Sequence, residues 1–294
     1  MPFAILFPGQ GAQFQGMGAD VFGRYPGLTE FACDLLGYDL VALCRDNPGD
    51  LLSRTDRTQP ALYTVNALHT FERERREERR ADCYLGHSLG EYNALLAAGA
   101  FDFETGLRLV KRRGELMAAA SGGGMTAVMD APEVLLLEIF EEDGIEGVDL
   151  AGFNTDSQIV IAAPDEVLRD AHAALGRRGI RFAPLRVSAP FHSRYMASAR
   201  AEFEEFLRGF TFAEPHTTVI ANVTGRPYER GGDRGDAVRA DRRAGAVGGQ
   251  RPLSCSTSNP LWNAKKWAAS RSFAWWTRSA SPLPPLPPPL KTRM

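Results

Sequence analysis

Hydrophobic and polar positions follow two different rhythms along this chain. At residues 3–7, "FAILF" is a short apolar run closed by "PGQGAQ", the pattern of a buried strand that ends in a Pro- and Gly-built turn. Helical spacing follows in "VFGRYPGLTEFACDLLG" and again in "RTQPALYTVNALHTFERERREERR", where Pro60 is expected in the first turn and interleaved Arg and Glu mark an exposed end. "ADCYLG" (81–86) predicts a second short strand and "LGEYNALLAAG" (89–99) a helix that stops at Gly99. Asp102 then has the place of an N-cap for the helix "FETGLRLVKRRGELMAAA".

From about residue 124 the rhythm changes. "GMTAVMD" predicts a strand, "PEVLLLEIFEEDG" a helix, "VDLAGFN" and "SQIVIAAP" two strands, "DEVLRDAHAALGRRG" a helix and "RFAPLRVS" a strand. That order, βαββαβ, is the ferredoxin-like arrangement. The reading is an α/β protein in which residues 1–123 and 190–228 form a large unit and residues 124–189 a small inserted one. The large unit resumes with the helix "SRYMASARAEFEEFLRGF" and the strand and turn "HTTVIANVTG". Beyond Tyr228 the periodicity collapses, and "SPLPPLPPPL" favours polyproline II. Residues 229–294 are expected to form an irregular, disordered tail.

Charge sharpens that boundary. Residues 1–228 carry 22 basic and 32 acidic side chains, a net of −10, whereas residues 229–294 carry 12 and 4, a net of +8. No acid occurs after Asp241, and Trp262, Trp267, Trp275 and Trp276 all fall in the last stretch. Such a break marks a boundary or a nucleic-acid-binding tail, but the basic residues are scattered and no recognition motif accompanies them, so no nucleic-acid partner is expected. Four cysteines stand far apart with no C-x-x-C, against a disulfide framework or a zinc site. No apolar run approaches the roughly 18 residues of a membrane helix, and the opening "MPFAILFPGQG" has no basic leader. A cytoplasmic protein with no membrane partner is the expectation.

The candidate chemistry centres on "GHSLGEY" (86–92). Gly86-His87-Ser88-Leu89-Gly90 matches G-x-S-x-G between a predicted strand and a predicted helix, the setting of a nucleophile elbow. Glycines relieve crowding at the sharp turn, and the helix start offers N–H groups to an oxyanion. The competing reading is an ordinary tight turn. A serine needs a base, and the histidines are His69, His87, His172, His192 and His216. His69 and His172 fall inside helices, His87 adjoins Ser88 on a turn where neighbours diverge, and His216 opens a strand. His192, in "VSAPFHSRYM", lies on a loop where the small unit returns to the large one, and leads the candidates. Arg113, beside Arg108, Lys111 and Arg112, reads as part of a solvated helix face, unless it turns inward to bind a substrate carboxylate. "GQGAQ" lacks both the Walker A Lys-Ser/Thr and the G-x-G-x-x-G spacing of a nucleotide cradle.

Taken together, "FPGQGAQ", "TQPAL", "GHSLGEYNALLAAG", "KRRGELM", "FNTDSQIVIA", "VSAPFHS" and "NVTGRP" resemble the malonyl-CoA:acyl carrier protein transacylase family, from residue 3 to about 228. "LGYDLVALCRDNP" and "RTQPALYTVNAL" look most like the discrete acyltransferases that serve polyketide synthases lacking built-in acyltransferase domains; the fatty-acid enzyme is the near relative. The resemblance implies an α/β-hydrolase-like core with the ferredoxin-like insert, and a monomer. It implies that Ser88 attacks the thioester of malonyl-CoA with His192 as general base, that backbone N–H groups of Gln10 and Leu89 hold the oxyanion, and that Arg113 pairs with the malonyl carboxylate. Phe191 narrows the space beside the α-carbon, and Asn154 and Gln158 support the site. The acyl group then passes to the phosphopantetheine thiol of an acyl carrier protein, with no metal or bound cofactor.

The chain departs from the family after "NVTGRPY": the following helix, a segment like Q-(I/V)-x-x-P-V-x-W, another helix and a strand ending in GPG are not found. A frameshift near Tyr228 accounts for the lost motifs, the charge reversal and the clustered tryptophans. In the family the missing segment supplies backbone carbonyls that orient the histidine, so weak or no activity is expected, along with uncovered apolar sheet faces. Two other functions share these residues: an acyl hydrolase that clears carrier proteins, which has no use for Arg113, and a non-catalytic remnant that binds carrier protein.

Overall fold

The computed structural model describes residues 3–76 and 80–228. The tail, residues 229–294, lies outside them. Among the described residues, eight α-helices and seven strands form an α/β fold with two sheets.

The first sheet is parallel and three-stranded, in the order β1-β2-β7, formed by Ala4–Phe7 (β1), Cys83–Gly86 (β2) and Thr218–Ile220 (β7). Its central strand β2 leads into the G-x-S-x-G turn. Helices Pro26–Leu36 (α1), Leu40–Asp46 (α2), Thr55–Arg76 (α3), Gly90–Ala97 (α4) and Phe103–Ala119 (α5) surround it in sequence. Helix α3 is the hub: Ala61, Leu62, Tyr63, Ala67 and Leu68 are at most 1% exposed. It begins two residues earlier than the pattern implied, so Pro60 falls in the second turn rather than the first. Thr58, whose hydroxyl donates to the Leu52 and Arg54 carbonyls, ties that start down. Helix α5 is capped as expected, Asp102 accepting from the Thr105 N–H at 2.8 Å. Helix α2 was not anticipated, because seven residues are too few for a helical period to declare itself.

The second sheet is antiparallel, in the order β4-β5-β3-β6, formed by Asp149–Thr155 (β4), Gln158–Pro164 (β5), Gly123–Met129 (β3) and Phe182–Pro184 (β6). Strand alternation splits its side chains between two cores. Ile159 and Ile161 of β5, with Val128 of β3, pack under helices Glu133–Glu142 (α6) and Asp165–Arg177 (α7). Val160 and Ala162, with Met125 and Ala127, face the other way, against Met117, Phe191 and Met196. The sheet thus packs on the segment that carries His192. Helix Ala197–Leu207 (α8) follows that segment. Among the described residues no helix is long and apolar enough to cross a membrane.

Leu136 is 0% exposed in the core beneath α6. Leu136→Ala is expected to lower unfolding free energy by about 2–5 kcal/mol, because the cavity adds to the lost burial; urea denaturation reads it.

Candidate active site

Three backbone segments cross at Ser88. The His87 N–H donates to the Phe7 carbonyl at the end of β1, and the Gly90 and Glu91 N–H groups donate to the His87 and Ser88 carbonyls, turning the chain into α4 within one residue. A Cβ on Gly86 would lie 2.0 Å from the Gly90 carbonyl carbon, and one on Gly90 would lie 2.3 Å from the Phe7 carbonyl oxygen. The two glycines of the motif are therefore steric necessities. Ser88 itself sits at φ 50°, a left-handed conformation that a side chain adopts only under constraint.

Part of that constraint is Glu91, buried three residues after the serine. Its carboxylate accepts from the Asn222 backbone N–H at 3.0 Å, the Asn222 Nδ2 at 2.6 Å and the Tyr228 hydroxyl at 2.6 Å. The "GHSLGEY" and "NVTGRPY" segments are thereby joined at the end of the parallel sheet. Sequence reading gave Glu91 no role, since a buried carboxylate declares itself only through its partners.

Of the five histidines, His192 is the one the fold brings to Ser88, with Nε2 3.0 Å from the hydroxyl oxygen. It too is left-handed, at φ 59°. Protein packed around the ring, then the charge of Arg113 and then His87, push its pKa down to about 3. The ring is therefore neutral near pH 7, as a general base must be. No hydrogen bond is made by its Nδ1 among the described residues. The other histidines have other surroundings. His69 lies 3.7 Å from Asp20, His172 stacks on Phe182 and bonds Thr126, and His216 bonds Thr217.

Arg113 does not belong to a solvated face. It is 4% exposed, while Arg108 and Lys111 pair with Glu104 and Glu115, and Arg112 with Glu202. Nη1 of Arg113 donates to Gln59 Oε1 at 2.6 Å, Nη2 donates to Ser88 Oγ at 3.1 Å, and the buried Nε has no partner among the described residues. Tyr92 lies under the guanidinium, 5.8 Å from its ring centre. Gln59, from the "TQPAL" motif, was not singled out from sequence.

The remaining candidates stand at different removes. Leu89 opens α4 and Gln10 follows β1; the backbone N–H of neither has an acceptor among the described residues. The Gln10 side chain donates to Thr55 at 3.1 Å. Phe191 is 3% exposed beside His192, in the core with Met117 and Met196. Asn154 is exposed and Gln158 half-buried on the β4–β5 hairpin, and no hydrogen bond links either to Ser88, His192 or Arg113. Among the described residues no group of three or more His, Cys, Asp and Glu is placed to hold a metal ion.

A serine on such a turn, paired with a neutral histidine, fits the class that the comparisons define: residues 4–237 match the acyl transferase domain. The polyketide biosynthesis malonyl CoA-acyl carrier protein transacylase PksC of Bacillus subtilis is 49% identical over 225 residues, which is 76% of this chain and 78% of that protein. The polyketide biosynthesis protein ThaF of Burkholderia thailandensis is 50% identical over 238 residues, 80% of this chain but only 20% of that much longer protein. The crystal structure of malonyl CoA-acyl carrier protein transacylase from Burkholderia pseudomallei superposes with a TM-score of 0.82 at 40% identity, covering 92% of this chain and 90% of that one. The chain belongs to the malonyl CoA-acyl carrier protein transacylase family.

Burial of His192 sets a pH dependence. Its folded pKa lies below the 6.5 of a free imidazole, so the stability gained by keeping it neutral is present above about pH 6.5 and lost as pH falls toward 3. The loss reaches at most about 1.4 kcal/mol per pH unit in that window. His192→Gln, which does not titrate, is expected to gain on the wild type in urea midpoint between about pH 7 and about pH 5. An unchanged difference would contradict the buried, neutral ring.

Proposed function

We propose that the chain transfers malonyl from malonyl-CoA to the phosphopantetheine thiol of an acyl carrier protein, for polyketide or fatty-acid biosynthesis. The observation that carries this reading is a buried arginine bonded to the candidate nucleophile. With Gln59 holding Nη1, the Nε–Nη2 edge of Arg113 has Nη2 on Ser88 Oγ and Nε without a partner among the described residues. A carboxylate on the acyl group is the chemistry that edge recognises.

In the first half-reaction His192 Nε2 takes the Ser88 proton, the Oγ–C bond forms, and the oxyanion is held by the Gln10 and Leu89 N–H groups. Collapse breaks the C–S bond, and CoA leaves as a thiol with the proton from His192. The carrier thiol then attacks the ester, giving its proton to His192, and Ser88 recovers its own. Phe191 limits the α-carbon to malonyl, and Asn154 and Gln158 keep a supporting role. No cofactor enters, and a cytoplasmic monomer is the simplest setting. For the fold, the reading is a hydrolase-like unit, 1–123 with 190–228, around a ferredoxin-like insert, 124–189. The strand order β4-β5-β3-β6 supports the insert, and the turn at Ser88 the larger unit.

The hydrolase reading shares Ser88 and His192 but leaves Arg113 unexplained. Incubation with malonyl-CoA and a phosphopantetheinylated carrier protein, followed by chromatography, separates the two. Malonyl on the carrier is expected, and free malonate with an unloaded carrier would favour the hydrolase. Arg113→Ala is expected to slow malonyl transfer by about ten- to a hundredfold, the worth of a charge-assisted hydrogen bond, without slowing acetyl transfer. Equal effects on both substrates would sink the carboxylate role. Carrier binding without any transfer is the outcome of the remnant reading.

A further inference from the structure

His192 stands in a left-handed conformation, with no hydrogen bond to its Nδ1 among the described residues. Among the described residues, the ties that hold it come from its own loop. Immediately after it, Ser193 is 1% exposed and donates to the Pro190 carbonyl, closing the turn. Next comes Arg194, gripped twice by one carboxylate. Asp149 Oδ2 accepts from the Arg194 backbone N–H at 2.6 Å, and Oδ1 accepts from its Nε at 2.8 Å. Tyr195 adds a third tie, its hydroxyl donating to the Gly147 carbonyl at 2.8 Å.

Asp149 is the first residue of β4, paired in register with Ala162 of β5. The next strand residue but one, Ala151, packs in the same core as Phe191 and Met196, which flank the histidine. The carboxylate is therefore anchored in the antiparallel sheet, while the residue it grips is two positions from the base.

We infer that Asp149 is a positioning residue for His192, clamping the loop through the Arg194 main chain so that Nε2 stays on Ser88. This rests on His192 being the base. The side-chain half of the clamp is an ion pair whose arginine is 65% exposed against 16% for Asp149, and a pair open to solvent on one side contributes little. The main-chain half fixes backbone position, and small misplacements of a reacting group are costly.

That asymmetry gives the test, in which the rate of malonyl-adduct formation at saturating malonyl-CoA and its KM are measured for each folded variant. Asp149→Ala is expected to lower the rate about ten- to a hundredfold with KM unchanged. Asp149→Asn, which keeps an oxygen for the Arg194 N–H, recovers most of it. Arg194→Ala, which keeps the N–H, loses at most about fivefold. An Arg194→Ala loss equal to that of Asp149→Ala, no rescue by Asn, a change confined to KM, or losses that track melting temperature would each overturn the inference. His192→Ala in the same assay separates the two levels. If it keeps the wild-type rate the base assignment fails; if it is inactive while Asp149→Ala is unaffected, only the clamp fails.

Discussion

The structure turns on one contact, Ser88 Oγ to His192 Nε2, made between two residues that both hold disfavoured left-handed backbones. Each such residue costs about 1–3 kcal/mol and persists only where its surroundings over-determine it. The two lie 104 positions apart in sequence, and each has its own local bracing. The serine is held by glycines too small to clash and by Glu91, which reaches across to Asn222 and Tyr228. The histidine is held by a turn closed on Pro190 and by Asp149. The contact is the meeting point of two independently braced turns, one at the end of the parallel sheet and one against the antiparallel sheet.

Arg113 is the buried cation of this arrangement. A buried guanidinium needs partners, and here Gln59 and Ser88 supply two while Nε has none among the described residues. On the proposed function, that donor is the one an acyl carboxylate would take. The same cation helps to keep His192 neutral, which suits a base that must accept the serine proton. A neutral acyl group offers none of this, which is why the transferase reading is preferred to hydrolysis.

Much of this was legible in the sequence where local rules decide. The turn at Ser88 showed because only glycine fits where Gly86 and Gly90 meet backbone, and the Asp102 cap because its partner is three residues away. The order of strands and helices from 124 to 184 showed because alternation changes period there. What stayed hidden depends on distant partners. Arg113 sat among three other basic residues, and register alone does not single it out: it is spaced from buried Val110 and Met117 as Arg112 is from buried Leu109 and Leu116. Gln59, Glu91 and Asp149 are polar residues whose meaning lies 54, 131 and 45 positions away. The boundary near Tyr228 was read from composition; the acyl transferase match runs on to residue 237, and the tail itself lies outside the described residues.

The central claim is that Ser88, activated by His192, carries the acyl group. Intact-mass spectrometry of the folded protein after brief exposure to malonyl-CoA alone tests it directly, with Ser88→Ala alongside and circular dichroism confirming that both are folded. The account predicts one malonyl adduct on the wild type, located to the peptide containing Ser88, and none on Ser88→Ala. An adduct that persists undiminished in Ser88→Ala, or a folded wild type that never acquires one, would contradict it.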